Sequence, residues 1–88
     1  MELTFNKVDN WYEAEFEIAG DINLHIELNV AAPIKLYQKT SGDKYDLVQA
    51  FKPSIDKVLD TDLMALVYPK WIKVVSEAEV TMGIVTMG

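Results

Sequence analysis

WYEAEFEIAGDINLHIELNV, residues Trp11 to Val30, holds two alternating runs that meet at Gly20-Asp21. Tyr12, Ala14, Phe16 and Ile18 share one face of the first run. Ile22, Leu24, Ile26, Leu28 and Val30 share one face of the second, with the two-residue period of a half-buried strand. The opposite faces carry Glu13, Glu15 and Glu17, then Asn23, His25, Glu27 and Asn29. We read the stretch as a β-hairpin. Pairing Ile18 with Ile22, Phe16 with Leu24, Ala14 with Ile26 and Tyr12 with Leu28 keeps the apolar side chains together, whereas a one-residue slip turns them all to water. That register leaves Ala19, Gly20 and Asp21 as a three-residue loop and sets Glu15 opposite His25.

Working outward, Glu2 to Val8 forms a strand that turns at Asp9-Asn10, a pair tolerant of positive φ. This turn pairs Val8 with Trp11, Phe5 with Ala14 and Leu3 with Phe16, extending the same apolar face. Thr4 then neighbours Glu15, and Asn6 neighbours Glu13. After Val30, Ala31-Ala32-Pro33 interrupts the pattern, and Pro33 cannot donate to a ladder, so the chain is expected to cross to a second sheet there. Ile34 to Lys39 and Lys44 to Phe51 read as another hairpin around Thr40-Ser41-Gly42-Asp43, with Leu36 opposite Leu47. Ile34, Leu36, Tyr45 and Leu47 are expected inward, and Tyr37 and Val48 on the other face. Lys52 to Asp62 reads as a loop with at most a helical turn. Leu63 to Tyr68 and Lys70 to Ser76 read as strands separated by Pro69, and Glu79 to Met87 as a last strand after the Glu77-Ala78 turn. Seven to eight strands with regular turn signals predict an all-β fold, a small antiparallel β-sandwich of jelly-roll-like or immunoglobulin-like type, with a small β-barrel as the alternative.

At 88 residues the chain has material for one core, burying roughly 60 to 65% of its unfolded surface, so residues 1–88 are expected to form one domain. Half the residues are apolar and a quarter charged, a globular balance. There is no cysteine, which excludes disulfides, thiolate nucleophiles and Cys-based zinc sites. Neither a membrane span nor a signal peptide is seen, so the chain is expected to be cytoplasmic when made. The net charge of −6 is N-terminal in origin: residues 1–30 hold seven acids against Lys7, while residues 31–88 hold seven acids and seven lysines. No arginine is present, and the planar donor fork suited to phosphates and base edges is missing, so nucleic acid and membranes are not expected partners.

His25 is the sole histidine, and beside Glu15 it has no nucleophile, which suits a solvated cross-strand pair. Glu13, Glu15, Glu17 and Glu27 lie along a flat face, not astride a cleft as glycosidase carboxylates do. Asp56, Asp60 and Asp62 lack the spacing of an EF-hand loop, and Ser41-Gly42-Asp43 is a turn without the helix and lysine of a phosphate loop. No catalytic, cofactor-binding or metal residue is therefore assigned. Tyr37, Tyr45, Tyr68 and Trp71 could stack on sugar rings or anchor a protein, with about two of the four expected in the core. The last strand has Met82, Ile84, Val85 and Met87 with few residues left to cover both its faces, which points to contact with a subunit or partner.

YPKWIKVVSEAEVTMGIVTMG, Tyr68 to Gly88, resembles the closing segment of small β-sandwich proteins of bacteriophage and prophage structural modules: an aromatic-rich strand, an acidic turn and a Val-Thr-x-Gly strand. IKLYQKTSGDKYDLV, Ile34 to Val48, is similar to their β-hairpin, with Tyr37, Gly42 and Tyr45 at the recurring places. These motifs mark turns and strands and carry over no functional residue. The resemblance implies a virion accessory role of capsid-decoration or head-fibre type, usually oligomeric. The expectation is thus a non-enzymatic structural or interaction module, self-associating or binding another virion component, with no cofactor. The alternative is a carbohydrate-binding module. Tyr37, Tyr45, Trp71, Met82, Ile84 and Met87 are the candidate interaction surface.

Overall fold

The computed structural model describes residues 1–18, 20–39, 44–51, 57–63 and 70–87. It contains eight strands: β1 (Asn6–Val8), β2 (Trp11–Ile18), β3 (Ile22–Leu28), β4 (Ile34–Lys39), β5 (Asp46–Phe51), β6 (Val58–Leu63), β7 (Lys70–Ser76) and β8 (Val80–Met87). They form a five-stranded sheet, β1-β2-β7-β4-β5, and a three-stranded sheet, β6-β3-β8, in which every neighbouring pair is antiparallel. This is a small β-sandwich. The barrel alternative fails because no strand of one sheet pairs with a strand of the other among the described residues.

Alternation decides which side chains enter the core. Phe16 and Ile18 of β2, Ile22, Leu24, Ile26 and Leu28 of β3, Ile34 and Leu36 of β4, and Ile72 and Val74 of β7 are buried together with Ala32, Ala78 and Val85. Leu3, Phe5, Leu59, Leu63 and Val80 pack around this cluster. Burying a Leu, Ile or Phe side chain is worth about 1.5–3 kcal/mol, so these positions stabilise the fold without any cross-link.

The expected hairpin at Trp11–Val30 is overturned in one respect. Its strands and apolar faces stand, but β2 and β3 belong to different sheets and face each other across the core. The turn between Ile18 and Ile22 is an arch, and Ala19 lies outside the described residues. β2 pairs instead with β7, setting Glu15 beside Lys73, and β3 pairs with β6 and β8, setting His25 beside Asp60 and Ile84. A packed sandwich satisfies the same parity as a hairpin, because facing strands also bring apolar sides together. Val30, past the end of β3, is exposed.

The Asp9-Asn10 turn stands, with Val8 opposite Trp11, Asn6 opposite Glu13, and Asp9 at φ 54°. The residues before it do not continue along β2. The Leu3 N–H donates to the Gly83 carbonyl at 2.8 Å and the Val85 N–H to the Met1 carbonyl at 2.8 Å, so the N-terminal residues run beside β8. Leu3 and Phe5 thus reach the core from the opposite sheet. The crossing at Pro33 is as expected, from β3 to β4, and its carbonyl accepts from the Glu77 N–H at 3.3 Å.

The β4–β5 hairpin forms, yet a bulge between Leu36 and Tyr37 shifts its register. Leu36 meets Gln49 and Tyr37 meets Leu47. The extra residue turns Leu47 outward, where it is 56% exposed. The Thr40–Asp43 turn lies outside the described residues, as does the side chain of Val48. The expected loop of residues 52–62 is corrected at its end, where Val58–Leu63 forms β6 on β3. Leu59, Thr61 and Leu63 turn inward there and Asp60 and Asp62 outward, since β6 is an edge strand with one face in water, where charge guards against edge pairing. Residues 52–56 lie outside the described residues. Leu63 closes β6, and the rest of the expected Leu63–Tyr68 strand, with Pro69, lies outside as well. β7 has the expected bounds, and β8 begins at Val80.

Candidate functional site

The outer face of the five-stranded sheet holds three aligned rows. Glu13, Val75 and Lys35 form one, Glu15, Lys73 and Tyr37 the next, and Glu17, Trp71 and Lys39 the third. β2 supplies the glutamates, β4 the outer lysines, and β7 the middle column. Each column follows from period-two alternation opposite a buried residue, and adjacent rows lie about two residues apart.

Tyr45, just before β5, lies on this face and not inward as its sequence position suggests. Its hydroxyl donates to Glu15 Oε2 at 3.0 Å, and the Lys73 ammonium sits 4.5 Å from its ring centroid. The Lys39 ammonium lies 5.3 Å from the Tyr45 centroid and 5.8 Å from that of Trp71. Lys73 also reaches Glu15 at 3.7 Å. Burial, then the Glu15 carboxylate, pushes the Tyr45 hydroxyl up to about 12, so it remains a donor at neutral pH. Both lysines are thus within cation–π distance of a ring.

Tyr37, Tyr45 and Trp71 therefore come together at one surface, and none of the three is in the core. Tyr37 and Tyr45 are half-buried and Trp71 is 40% exposed. Tyr68 lies outside the described residues. Beside them Trp11, Glu13, Lys35, Tyr37, Tyr45, Lys73 and Val75 line an open groove of about 390 Å³. The sequence reading missed Trp11, Lys35, Lys39 and Lys73. Parity with Glu13 could have placed Trp11 on this face, but the lysines needed the pairing of β7 with both β2 and β4.

Met82, Ile84 and Met87 are on the other sheet. Met82 lies opposite Glu27 and Ile84 opposite His25 on its outer face. Met82 is 44% exposed, Ile84 is half-buried, and Met87 rims an apolar opening with Met1, Ile18, Ile22 and Val85 at one end of the sandwich. The candidate surface thus divides: Tyr37, Tyr45 and Trp71 lie on the outer face of the five-stranded sheet, Met82 and Ile84 on that of the three-stranded sheet, and Met87 at one end of the sandwich.

The expected Glu15–His25 pair does not form, because the two residues are in different sheets. His25 Nε2 donates to Glu27 Oε2 at 2.8 Å and Nδ1 to Asp60 Oδ2 at 2.9 Å. Asn23 donates to Asp60 at 2.7 Å and to Asp62 at 3.1 Å. Only the imidazolium donates from both ring nitrogens, so a carboxylate at each of them favours the protonated ring. The bonds to Glu27 and then Asp60 raise the His25 pKa above 6.5, while Asn23 and then His25 lower that of Asp60. This ladder ties β6 to β3. Asp60 and Asp62 meet at Asn23, whereas Asp56 lies outside the described residues. Among the described residues, no group of three or more His, Asp or Glu side chains is placed to hold a metal ion.

Comparison with protein-family models, with curated proteins and with solved structures finds no match to this chain.

Proposed function

We propose that the chain is a non-enzymatic interaction module that meets its partner through the outer face of the five-stranded sheet. The observation that carries this reading is the aromatic and lysine cluster of Trp71, Tyr45, Tyr37, Lys39 and Lys73. A one-sided sheet needs only polar residues towards water, and here Trp71, Tyr37 and Tyr45 all lie on that face. Aromatic anchors already engaged by neighbouring charges suit recognition, because less side-chain freedom is lost on contact. The likeness of Tyr68–Gly88 and Ile34–Val48 to phage modules supplies the setting we favour. In it the chain is a virion accessory protein, made in the cytoplasm, that contacts its own copies or another virion component. Met82 and Ile84 on the outer face of β8 offer a second contact patch on the opposite side.

Sedimentation velocity over a wide concentration range tests the self-contact. A dimer lost in Trp71→Glu assigns the contact to the aromatic face, and one lost in Met82→Glu assigns it to β8. A second reading, a carbohydrate-binding module, is favoured by the placement of Tyr37, Tyr45 and Trp71 on one outer face. A chain that stays monomeric at high micromolar concentration would remove the self-contact, and one that ignores every glycan on an array would remove the carbohydrate reading.

A further inference from the structure

We propose that the groove between Trp11 and Tyr37 is a binding site for a neutral saccharide. This rests on the carbohydrate reading of the same face and centres it on Trp11, Tyr37 and Val75, not on Tyr45 and Trp71. The rings of Tyr45 and Trp71 are already engaged by Lys39 and Lys73. Of these four, Tyr45 and Lys73 line the groove. Trp11, 37% exposed, and Tyr37 stand at diagonal corners of a floor made by Val75. At about 390 Å³, the groove is in the size range of small-molecule sites.

The charges on this face select the ligand class. Glu15, Lys39 and Lys73 are engaged with one another or with rings. Glu13 and Lys35 have no hydrogen-bond or ion-pair partner among the described residues. They flank Val75 from β2 and β4, about 9.5 Å apart along the sheet. A carboxylate only accepts and an ammonium only donates, while a hydroxyl does both. A ligand with hydroxyls at both edges satisfies the two together. An anionic ligand would pair with Lys35 and meet Glu13 and a chain of net charge −6, and a cationic one would meet Lys35. The ring C–H face of a sugar has matching apolar surface in Trp11, Tyr37 and Val75. An added peptide strand finds no free main chain here, because β7 is paired on both sides, by β2 and β4.

The test is an array of neutral and acidic glycans, followed by calorimetric titration of the neutral oligosaccharide that binds best. Trp11→Ala, Tyr37→Ala and Glu13→Ala should each weaken binding about tenfold or more. Trp11→Phe should keep most of the affinity, and unchanged thermal melting of each variant excludes unfolding as the cause. An array without a neutral hit, a preference for acidic glycans, or a loss in Trp71→Ala with none in Trp11→Ala would each overturn the proposal. A blank array with a dimer that Trp71→Glu abolishes would refute the saccharide and leave the interaction module standing.

Discussion

His25 has a carboxylate at each ring nitrogen on the outer face of the three-stranded sheet, and that arrangement makes stability depend on pH. Its folded pKa is raised, so its contribution is complete below 6.5 and disappears as pH rises through the folded value. Asp60 has the opposite sign: its lowered pKa adds stability above 3.8 that is lost as pH falls below that range. Urea midpoints should therefore fall between about pH 5.5 and about pH 8.5, and His25→Asn should flatten that change. Parallel profiles for the two proteins would show that the ladder adds nothing. Ser76 is the other residue whose role is local. It is fully buried, its hydroxyl donates to the Ala78 carbonyl at 2.7 Å, and it accepts from the Ala78 N–H at 3.1 Å. Ser76→Ala leaves both groups unsatisfied at the β7–β8 turn and should cost about 1–3 kcal/mol in chemical denaturation. A cost within error would mean that water enters the turn. Neither role was legible in the sequence, since His25 needs a β6 partner 35 positions away and Ser76 reads as an ordinary strand end.

Among the elements, β2, β3, β7 and β8 were legible almost to the residue, because strict alternation marks both their length and their faces. β6 was not, as VLDTDL is an edge strand whose charged side faces water and imitates a loop. β8 shows what close packing demands of one position. A Cβ on Gly83 would lie 2.7 Å from Cε1 of Phe5, so the N-terminal segment crosses the sheet where β8 has no side chain. Gly83→Ala should cost about 1–3 kcal/mol by overpacking, and Phe5→Leu in the same chain should recover part of it. Equal melting temperatures for native protein and Gly83→Ala would contradict this packing. In the sequence Gly83 is one more small residue in an alternating strand, and only the arrival of Phe5 gives it a reason.

In the whole molecule, every strand neighbour of β2 and β3 except β1 comes from much later in the chain. Such non-local pairing delays the transition state, so refolding is expected in milliseconds to seconds, as in other small sandwiches. Stopped-flow tryptophan fluorescence measures it, and submillisecond refolding would argue for a local hairpin intermediate. The candidate site belongs to this scale too. Tyr37, Tyr45 and Trp71 could be named as a set, but their union with Trp11, Lys39 and Lys73 depends on β7 lying between β2 and β4. The sequence by itself determined the all-β class, most strand limits, the two turns at Asp9-Asn10 and Pro33, and the apolar face of Trp11–Val30. Those follow from periodicity and from the backbone limits of single residues, which are local. Only the tertiary structure decided that this stretch is an arch between sheets, which strands are neighbours, and where the aromatic groove opens. A period of two tells each side chain which face it shares, and it is satisfied equally by strands lying side by side and by strands facing across a core.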